Sequence, residues 1–153
     1  MITLRRAEIS DGPNIVDLLA LMHEEIGAFP LSSKKLVDHV YDLIQNGSVL
    51  MAFDGGNLVG SIGLTFGELW YSSTTVISDD WIYTHPNHPK RLSIFRAMIA
   101  EVKQYAQELN LPLVLTLFTR KDTGRKAMKF ARYGDEIMKG YQFSPVGGEF
   151  RVN

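Results

Sequence analysis

The 153-residue chain contains no cysteine. This absence excludes disulfide bonds, a thiol nucleophile and thiolate metal sites, and it agrees with the cytoplasmic location that we expect. No apolar run approaches the roughly 18 residues that a membrane span needs. The opening MITLRRAEISDG also lacks the apolar segment of a signal peptide. We therefore expect neither a membrane contact nor a targeting segment.

The chain also lacks an excess of charge of either sign. It has 16 Lys and Arg against 17 Asp and Glu, a net charge of −1. Because a balanced chain has no overall attraction to nucleic acid, we do not expect nucleic acid as a partner. With 45% apolar and 22% charged residues, the length suits one folded domain over residues 1–153.

Hydrophobic periodicity predicts the first half of the fold. MITLRRAEI alternates like a strand, and two helices follow over 10–26 and 31–47. Asp11 or Ser10 is expected to cap the first helix, and Ser32 or Ser33 the second. Asp54-Gly55-Gly56-Asn57 is typical of a hairpin turn between two β-rich runs. A loop, GELWYSST, leads to another strand, TVISDDWIYT.

The second half predicts a β-α-β crossover. A helix is expected from about Pro89 to Leu109, and LPLVLTLF reads as a strand covered on both faces that pairs parallel with the strand over 76–84. A basic helix and one or two strands from GYQFSPVGGEFRV close the chain. The predicted order is β-α-α-β-β-β-α-β-α-β-β, an α/β mixed sheet with helices on both faces. The apolar stripe of the crossover helix is predicted to be Leu92, Phe95, Ile99, Val102, Ala106 and Leu109.

This order and three local motifs resemble the GNAT (general-control-non-repressible N-acetyltransferase) superfamily. VLMAFDGGNLVGSIGL is similar to the family's central hairpin, IYTHPNHPKRLSIFRAMIAEV to its cofactor strand, loop and helix, and GYQFSPVGGEF to its closing strands. The general form also resembles small GNAT-like proteins of bacteriophages. The resemblance implies a GNAT fold, acetyl-CoA as cosubstrate and an amine as acceptor.

The resemblance implies that the loop before the crossover helix holds the CoA pyrophosphate. A helix N-terminus offers unpaired N–H donors and a positive dipole end, which suit an anion. The loop departs from the family pattern, because it has no glycine and contains Pro89. The candidate cofactor-binding residues are Tyr83, Thr84, His88, Lys90, Arg91, Leu92, Ser93 and Ile94.

The resemblance also suggests groups for proton transfer. Family members often place an acidic general base on the strand that contains Asp79 and Asp80. Strict strand alternation puts Asp80 on the face of Ile82 and Thr84, opposite Trp81, and we favour Asp80. Tyr133 is the candidate acid for the leaving thiolate, although the family's usual position falls on Ala131.

The acceptor side is expected beside the first helix. From the resemblance, Glu24 or Glu25 could hold an amine, and we choose Glu25 as the candidate. Trp70 and Tyr71 could wall its pocket, or they could instead mark a homodimer contact. His85 and His88 form an H-x-x-H pair, too few ligands for zinc, so no metal is expected. The basic segment over 120–132 could contact the CoA 3′-phosphate, nucleic acid or solvent. It contains Arg120, Lys121, Arg125, Lys126, Lys129 and Arg132.

Together these features predict an N-acyltransferase that moves an acetyl group from acetyl-CoA to a primary amine of a small molecule or protein. The alternative is a catalytically inactive GNAT-fold protein that binds another protein as an accessory factor. The glycine-free loop and the displaced acid tyrosine are what this alternative predicts.

Overall fold

The structure, a computed structural model, describes residues 1–26, 29–116 and 149–151. Within these residues one sheet contains six strands whose order in space follows their order in the chain. Neighbouring strands are antiparallel except for the parallel pair β4 and β5. The strands are β1 (Ile2–Arg6), β2 (Val49–Asp54), β3 (Asn57–Glu68), β4 (Thr75–Thr84), β5 (Leu113–Thr116) and β6 (Glu149–Arg151).

Three α-helices and one short 3-10 turn accompany the sheet in the described part of the chain. The helices are α1 (Gly12–Ile26), α2 (Ser33–Gln45) and α3 (Arg91–Leu109), and the 3-10 turn over Ile9–Asp11 leads into α1. None of these helices has the length and apolarity that a membrane crossing requires. The predicted mixed α/β sheet is confirmed, while the predicted basic helix near the C-terminus lies outside the described residues.

The entry to α1 differs from the predicted helix cap. Asp11 closes the preceding 3-10 turn instead, because its Oδ2 accepts the backbone N–H of Glu8 at 2.7 Å. The Arg5 guanidinium donates to both carboxylate oxygens of Asp11, at 2.7 and 2.8 Å. These bonds, led by those from Arg5, hold the pKa of Asp11 below its usual value despite its burial. Through its bonds to Arg5, the Asp11 carboxylate therefore links β1 to the start of α1.

The predicted turn residues are confirmed at α2 and at the hairpin. Ser32 is the N-cap of α2, and its hydroxyl accepts the N–H of Lys35 at 3.4 Å. Gly47, with φ of +70°, lies just beyond the helix, and Gly55, with φ of +64°, makes the turn between β2 and β3. Both glycines adopt a left-handed conformation that side chains disfavour.

Helices cover both faces of the sheet, as predicted. Ile15 of α1 and Val40 of α2 pack with Trp81 on one face, and α3 packs with Ile62 and Ile77 on the other. Burial of apolar residues against each face holds the layers together.

The buried stripe of α3 differs from the prediction. Ile94 and Met98 are fully buried, whereas Leu109 is 43% exposed. Gly60 in β3 explains the offset, because a side chain there would lie 3.0–3.1 Å from Met98 and Ile94. Because Gly60 has no Cβ, the side of α3 that carries Ile94 and Met98 can pack closely against β3. The helix also begins at Arg91, two residues later than expected.

Candidate active site

A wedge opens between β4 and β5. The two parallel strands pair at Ile77–Leu113 and Ser78–Val114 and then separate, although β4 continues to Thr84. Asp80 is exposed when the whole residue is considered, whereas only 26% of the surface of its side chain is exposed. Its backbone therefore accounts for much of that exposure. Within the described part of the chain, main-chain hydrogen-bonding groups of β4 are thus left open at the end where α3 begins.

The alternation of hydrogen bonds decides which N–H groups of β4 face this wedge. His85 N–H donates to the Val59 carbonyl at 2.7 Å, so every second residue before it also donates toward β3. The N–H of Tyr83 therefore faces β3. The N–H groups of Ile82 and Thr84 face the wedge. Of the two β4 residues among the candidate cofactor-binding residues, Tyr83 and Thr84, only Thr84 therefore directs its N–H into the wedge.

A β-bulge at the mouth of the wedge overturns the predicted face of Asp80. The register with β3 shifts by one residue, so that Gly63 pairs with Trp81 while Leu64 pairs with Asp79. The extra residue breaks the strict alternation of side chains. Asp80 consequently lies on the same face as Trp81, toward α2, and not on the face of Ile82 as predicted.

Asp80 contacts two side chains that sequence analysis did not assign to the site. Its Oδ2 contacts Nε2 of His39 on α2 and accepts the hydroxyl of Thr65 at 2.7 Å. The His39 ring stands edge-on to Trp81, with ring centroids 6.4 Å apart and planes at 75°. One sequence signal could have indicated His39: its spacing from Leu36 and Leu43 places it beside the apolar stripe of α2.

The loop before α3 uses two histidine rings as hydrogen-bond acceptors. Nδ1 of His85 accepts the N–H of Asn87 at 3.2 Å, and Nδ1 of His88 accepts the N–H of Lys90 at 3.0 Å. Since Nδ1 of His88 accepts, Nε2 carries the proton and donates to Asp54 at 2.8 Å. That bond is the main reason why the pKa of Asp54 lies below its usual value, followed by the N-terminal ammonium.

The first turn of α3 supplies the free donors that an anion site needs. Ile94 N–H already donates to the Lys90 carbonyl at 3.1 Å, which removes it from the expected set of backbone donors. The N–H groups of Arg91, Leu92 and Ser93 have no acceptor inside the helix. Lys90 is the N-cap residue, and its exposed side chain forms no ion pair in the described part of the chain.

Arg91 and Glu25, expected to serve different ligands, bind each other. Two guanidinium nitrogens of Arg91 reach the two carboxylate oxygens of Glu25 at 2.5 and 3.2 Å, and Nε donates to Thr84 Oγ1 at 2.9 Å. The side chains of Arg91 and Glu25 are 28% and 9% exposed. This pair joins the end of α1 to the start of α3, so neither charge is free for a ligand in this structure.

Tyr83 lies beneath this ion pair. The Arg91 guanidinium carbon lies 5.2 Å from the centre of the Tyr83 ring, and the Tyr83 hydroxyl is buried close to the Glu25 carboxylate. Burial, followed by the negative charge of Glu25, raises the pKa of Tyr83 to about 12. The hydroxyl therefore stays protonated at neutral pH and can donate to an anionic or polar ligand.

Trp70 and Tyr71 lie far from Glu25. They occupy the turn before β4, 95% and 61% exposed, and stack edge-to-face on each other. Glu25 binds Arg91, which also donates to Thr84 at the other end of β4. The ten residues of this strand separate its two ends by about 30 Å. The structure therefore does not bring these three residues into one acceptor pocket.

The remaining expected site features lie in or near undescribed parts of the chain. Tyr133 and the basic segment over 120–132 fall outside the described residues.

Among the described residues, no three His, Asp or Glu side chains converge as a metal site would require. Three of the four H-x-x-H ring nitrogens take part in the contacts given above.

The family comparison agrees with this geometry. The model of the acetyltransferase (GNAT) family matches residues 18–134. This span is more than half of the chain, so the chain belongs to the GNAT acetyltransferase family. No curated protein sequence matches it.

Solved structures share the fold at low sequence identity. A ribosomal-protein-alanine N-acetyltransferase from Brucella melitensis biovar Abortus 2308 has TM-score 0.62 and 22% identity, covering 82% of this chain and 87% of its own. A predicted acetyltransferase from Clostridium acetobutylicum, solved with acetyl-CoA, has TM-score 0.65 and 16% identity, covering 95% and 97%. An aminoglycoside acetyltransferase from an uncultured soil metagenomic sample, solved with sisomicin, has TM-score 0.60 and 19% identity, covering 86% and 85%.

Proposed function

We propose that the chain is an N-acetyltransferase that transfers the acetyl group of acetyl-CoA to a primary amine of a small molecule or protein. The observation that supports this most is the wedge between β4 and β5, open at the end where α3 presents its free N–H groups. Acetyltransferase activity in general agrees with the family match. Acetyl-CoA is a cytoplasmic metabolite, so the proposal includes a cytoplasmic setting.

The N-terminal turn of α3 would bind the pyrophosphate. The N–H groups of Arg91, Leu92 and Ser93 supply hydrogen bonds, and the Lys90 ammonium adds positive charge beside them. The pantetheine arm would occupy the wedge, where the N–H groups of Ile82 and Thr84 are available. The remaining candidates, Tyr83, His88 and Ile94, would shape this region: the Tyr83 hydroxyl as a donor, His88 by holding the loop and Ile94 by anchoring the helix.

The proposed reaction is direct transfer to a neutral amine. The wedge-facing N–H of Thr84 or Ile82 would stabilise the negative charge that develops on the thioester oxygen. Asp80, at the mouth of the wedge, would take part in removing the amine proton. Tyr133 remains the proposed donor to the leaving thiolate.

The acceptor is proposed only as a class of compound, a primary amine. Glu25 remains a candidate acceptor residue, although it would have to exchange Arg91 for the acceptor. Trp70 and Tyr71 lie at the other end of β4 and would contact only an extended acceptor or a second copy of the chain. Two structural neighbours are named for a ribosomal-protein alanine and for an aminoglycoside. Both acceptors present amines, so both are suitable probes.

One observation favours the alternative, a GNAT-fold protein without transferase activity. In the glycine-free loop, histidine rings already accept the N–H groups of Asn87 and Lys90, and prolines remove two further donors. Such a loop presents fewer free donors than a glycine-rich one. A protein of this kind would act through a bound partner protein or a second copy of itself.

Isothermal titration with acetyl-CoA separates the two functions. We expect micromolar binding to the wild type and at least tenfold weaker binding to Lys90→Ala, with Lys103→Ala, several turns further along α3, as a control. Arg91→Ala should also unfold at a lower temperature, because it removes the guanidinium that binds the buried Glu25 carboxylate. CoA release would then be measured with sisomicin and with an alanine-starting peptide.

The absence of binding at millimolar acetyl-CoA would overturn the transferase proposal. If Lys90→Ala bound acetyl-CoA as tightly as the wild type, the result would show that the pyrophosphate does not bind at the N-terminus of α3.

A further inference from the structure

We propose that His39 is the catalytic group that removes the proton from the attacking amine, and that Asp80 positions it. The inference rests on the proposed function and changes the part that Asp80 plays in it. It assigns the proton to an imidazole on α2 that is bound to the bulged residue of β4.

Hydrogen-bond chemistry fixes the state of the His39 ring. An ionised carboxylate only accepts hydrogen bonds, so the Nε2 that contacts Asp80 Oδ2 must carry the proton. In the neutral ring, Nδ1 then holds the free lone pair. Thr65 fixes the same carboxylate oxygen from the neighbouring strand, at 2.7 Å. Asp80 is therefore held from two sides and in turn holds the imidazole in one tautomer.

The position of the pair suits a reaction at the wedge. Asp80 lies two residues beyond Ser78, the last residue of β4 that pairs with β5, so it stands where the strands begin to separate. The bulge turns its side chain toward α2, and the edge-on Trp81 ring supports His39 there. His39 has 53% of its side-chain surface exposed, against 26% for Asp80. The imidazole is thus the more accessible of the two groups.

Asp80 is better placed to support a base than to act as one. Its Oδ2 is already occupied by the two donors, and a negative carboxylate next to an imidazole stabilises the imidazolium that forms when the ring takes a proton. In the Asp80–His39 pair, the imidazole is thus the base and the carboxylate orients it. The same arrangement activates nucleophiles in other enzyme classes.

The neutral amine nitrogen forms a bond to the thioester carbonyl carbon, and its proton passes to Nδ1 of His39, directly or through one water. The carbon–sulfur bond then breaks and the electron pair leaves on the CoA thiolate. The imidazolium proton goes to the thiolate or to solvent, which restores neutral His39 and yields the acetylated amine and CoA.

Steady-state turnover with acetyl-CoA and propylamine tests the proposal. We expect His39→Ala to bind acetyl-CoA like the wild type while kcat falls at least 100-fold, the usual scale of general-base catalysis. Added imidazole should restore part of the kcat of His39→Ala. Asp38→Asn, on the exposed side of the same helix, is the control and should keep wild-type kcat.

Asp80→Asn separates positioning from direct catalysis. We expect a lower kcat that imidazole does not restore, since His39 still occupies the site, together with a change in the ¹⁵N shifts of the His39 ring. Wild-type kcat in His39→Ala would overturn the proposal, as would failure of imidazole to rescue that variant. A wild type that binds acetyl-CoA but releases no CoA would also overturn it, whereas a wild type that does not bind acetyl-CoA removes the proposed function itself.

Discussion

A single carboxylate organises the N-terminal part of the fold. Asp11 is 8% exposed and accepts three hydrogen bonds, two from Arg5 and one from the Glu8 backbone. Nearby opposite charge and hydrogen bonds to the ionised form keep its pKa low. Because the folded state favours the charged carboxylate, Asp11 links stability to pH.

We predict that Asp11→Asn lowers the free energy of unfolding at pH 7 by about 2 kcal/mol, the scale of hydrogen bonds to a charged group. The pKa is lowered on folding, so this contribution is present above the unfolded value of about 3.9 and is lost as the pH falls through the folded pKa. Urea unfolding of both proteins at several pH values measures it. A difference that stays constant down to pH 2 would contradict the linkage.

At the scale of elements, the contact between β3 and β4 determines where Trp81 and the bulge lie. A Cβ on Gly63 would lie 2.6 Å from three atoms of the Trp81 ring, and the Trp81 Nε1–H donates to Ser61 Oγ at 3.0 Å. The ring is therefore held in place directly above a residue that has no side chain. His39 packs on the same ring, so the proposed base depends on this glycine as well.

We predict that Gly63→Ala destabilises the protein by about 2 kcal/mol more than Gly60→Ala, the usual scale of overpacking. Both changes add one methyl group to β3, but at Gly60 the closest atom is the flexible end of Met98, at 3.0 Å. Urea unfolding with unchanged m-values would measure the difference. Equal losses in the two variants would show that Trp81 can move aside.

Elements with a strong local pattern could be predicted from the sequence, and the site could be predicted only in part. The bounds of β4 and the turn at Gly55 follow from local residue patterns. The bulge at Asp80 depends on the register between β4 and β3, and this register cannot be predicted from the sequence of either strand alone. The same holds for the Arg91–Glu25 pair, whose members are 66 positions apart in sequence. His39 was missed because its partner is known only once the bulge is placed.

At the scale of the whole molecule, a ligand bound in the wedge should raise the free energy of unfolding. A ligand that binds only the folded state at 100 times its Kd adds about 2.7 kcal/mol. For a chain of this size we therefore predict that acetyl-CoA raises Tm by about 5–10 °C. Thermal unfolding followed by circular dichroism measures the shift.

Inorganic pyrophosphate at the same concentration is the control for that measurement. It can occupy the N-terminus of α3 but cannot fill the wedge, so we expect a much smaller rise in Tm. Equal shifts with both ligands would show that the space between β4 and β5 contributes nothing to binding.

The order of the strands in the sheet has a consequence for how the chain is made. Each described strand lies beside the strand that precedes it in sequence, so the sheet can extend at one edge as the ribosome releases the chain. No described strand must insert between two that are already paired. The first four strands can thus form an antiparallel platform before α3 is complete, and β5 then attaches to it at two residue pairs. The wedge lies where the pairing of neighbouring strands changes from antiparallel to parallel.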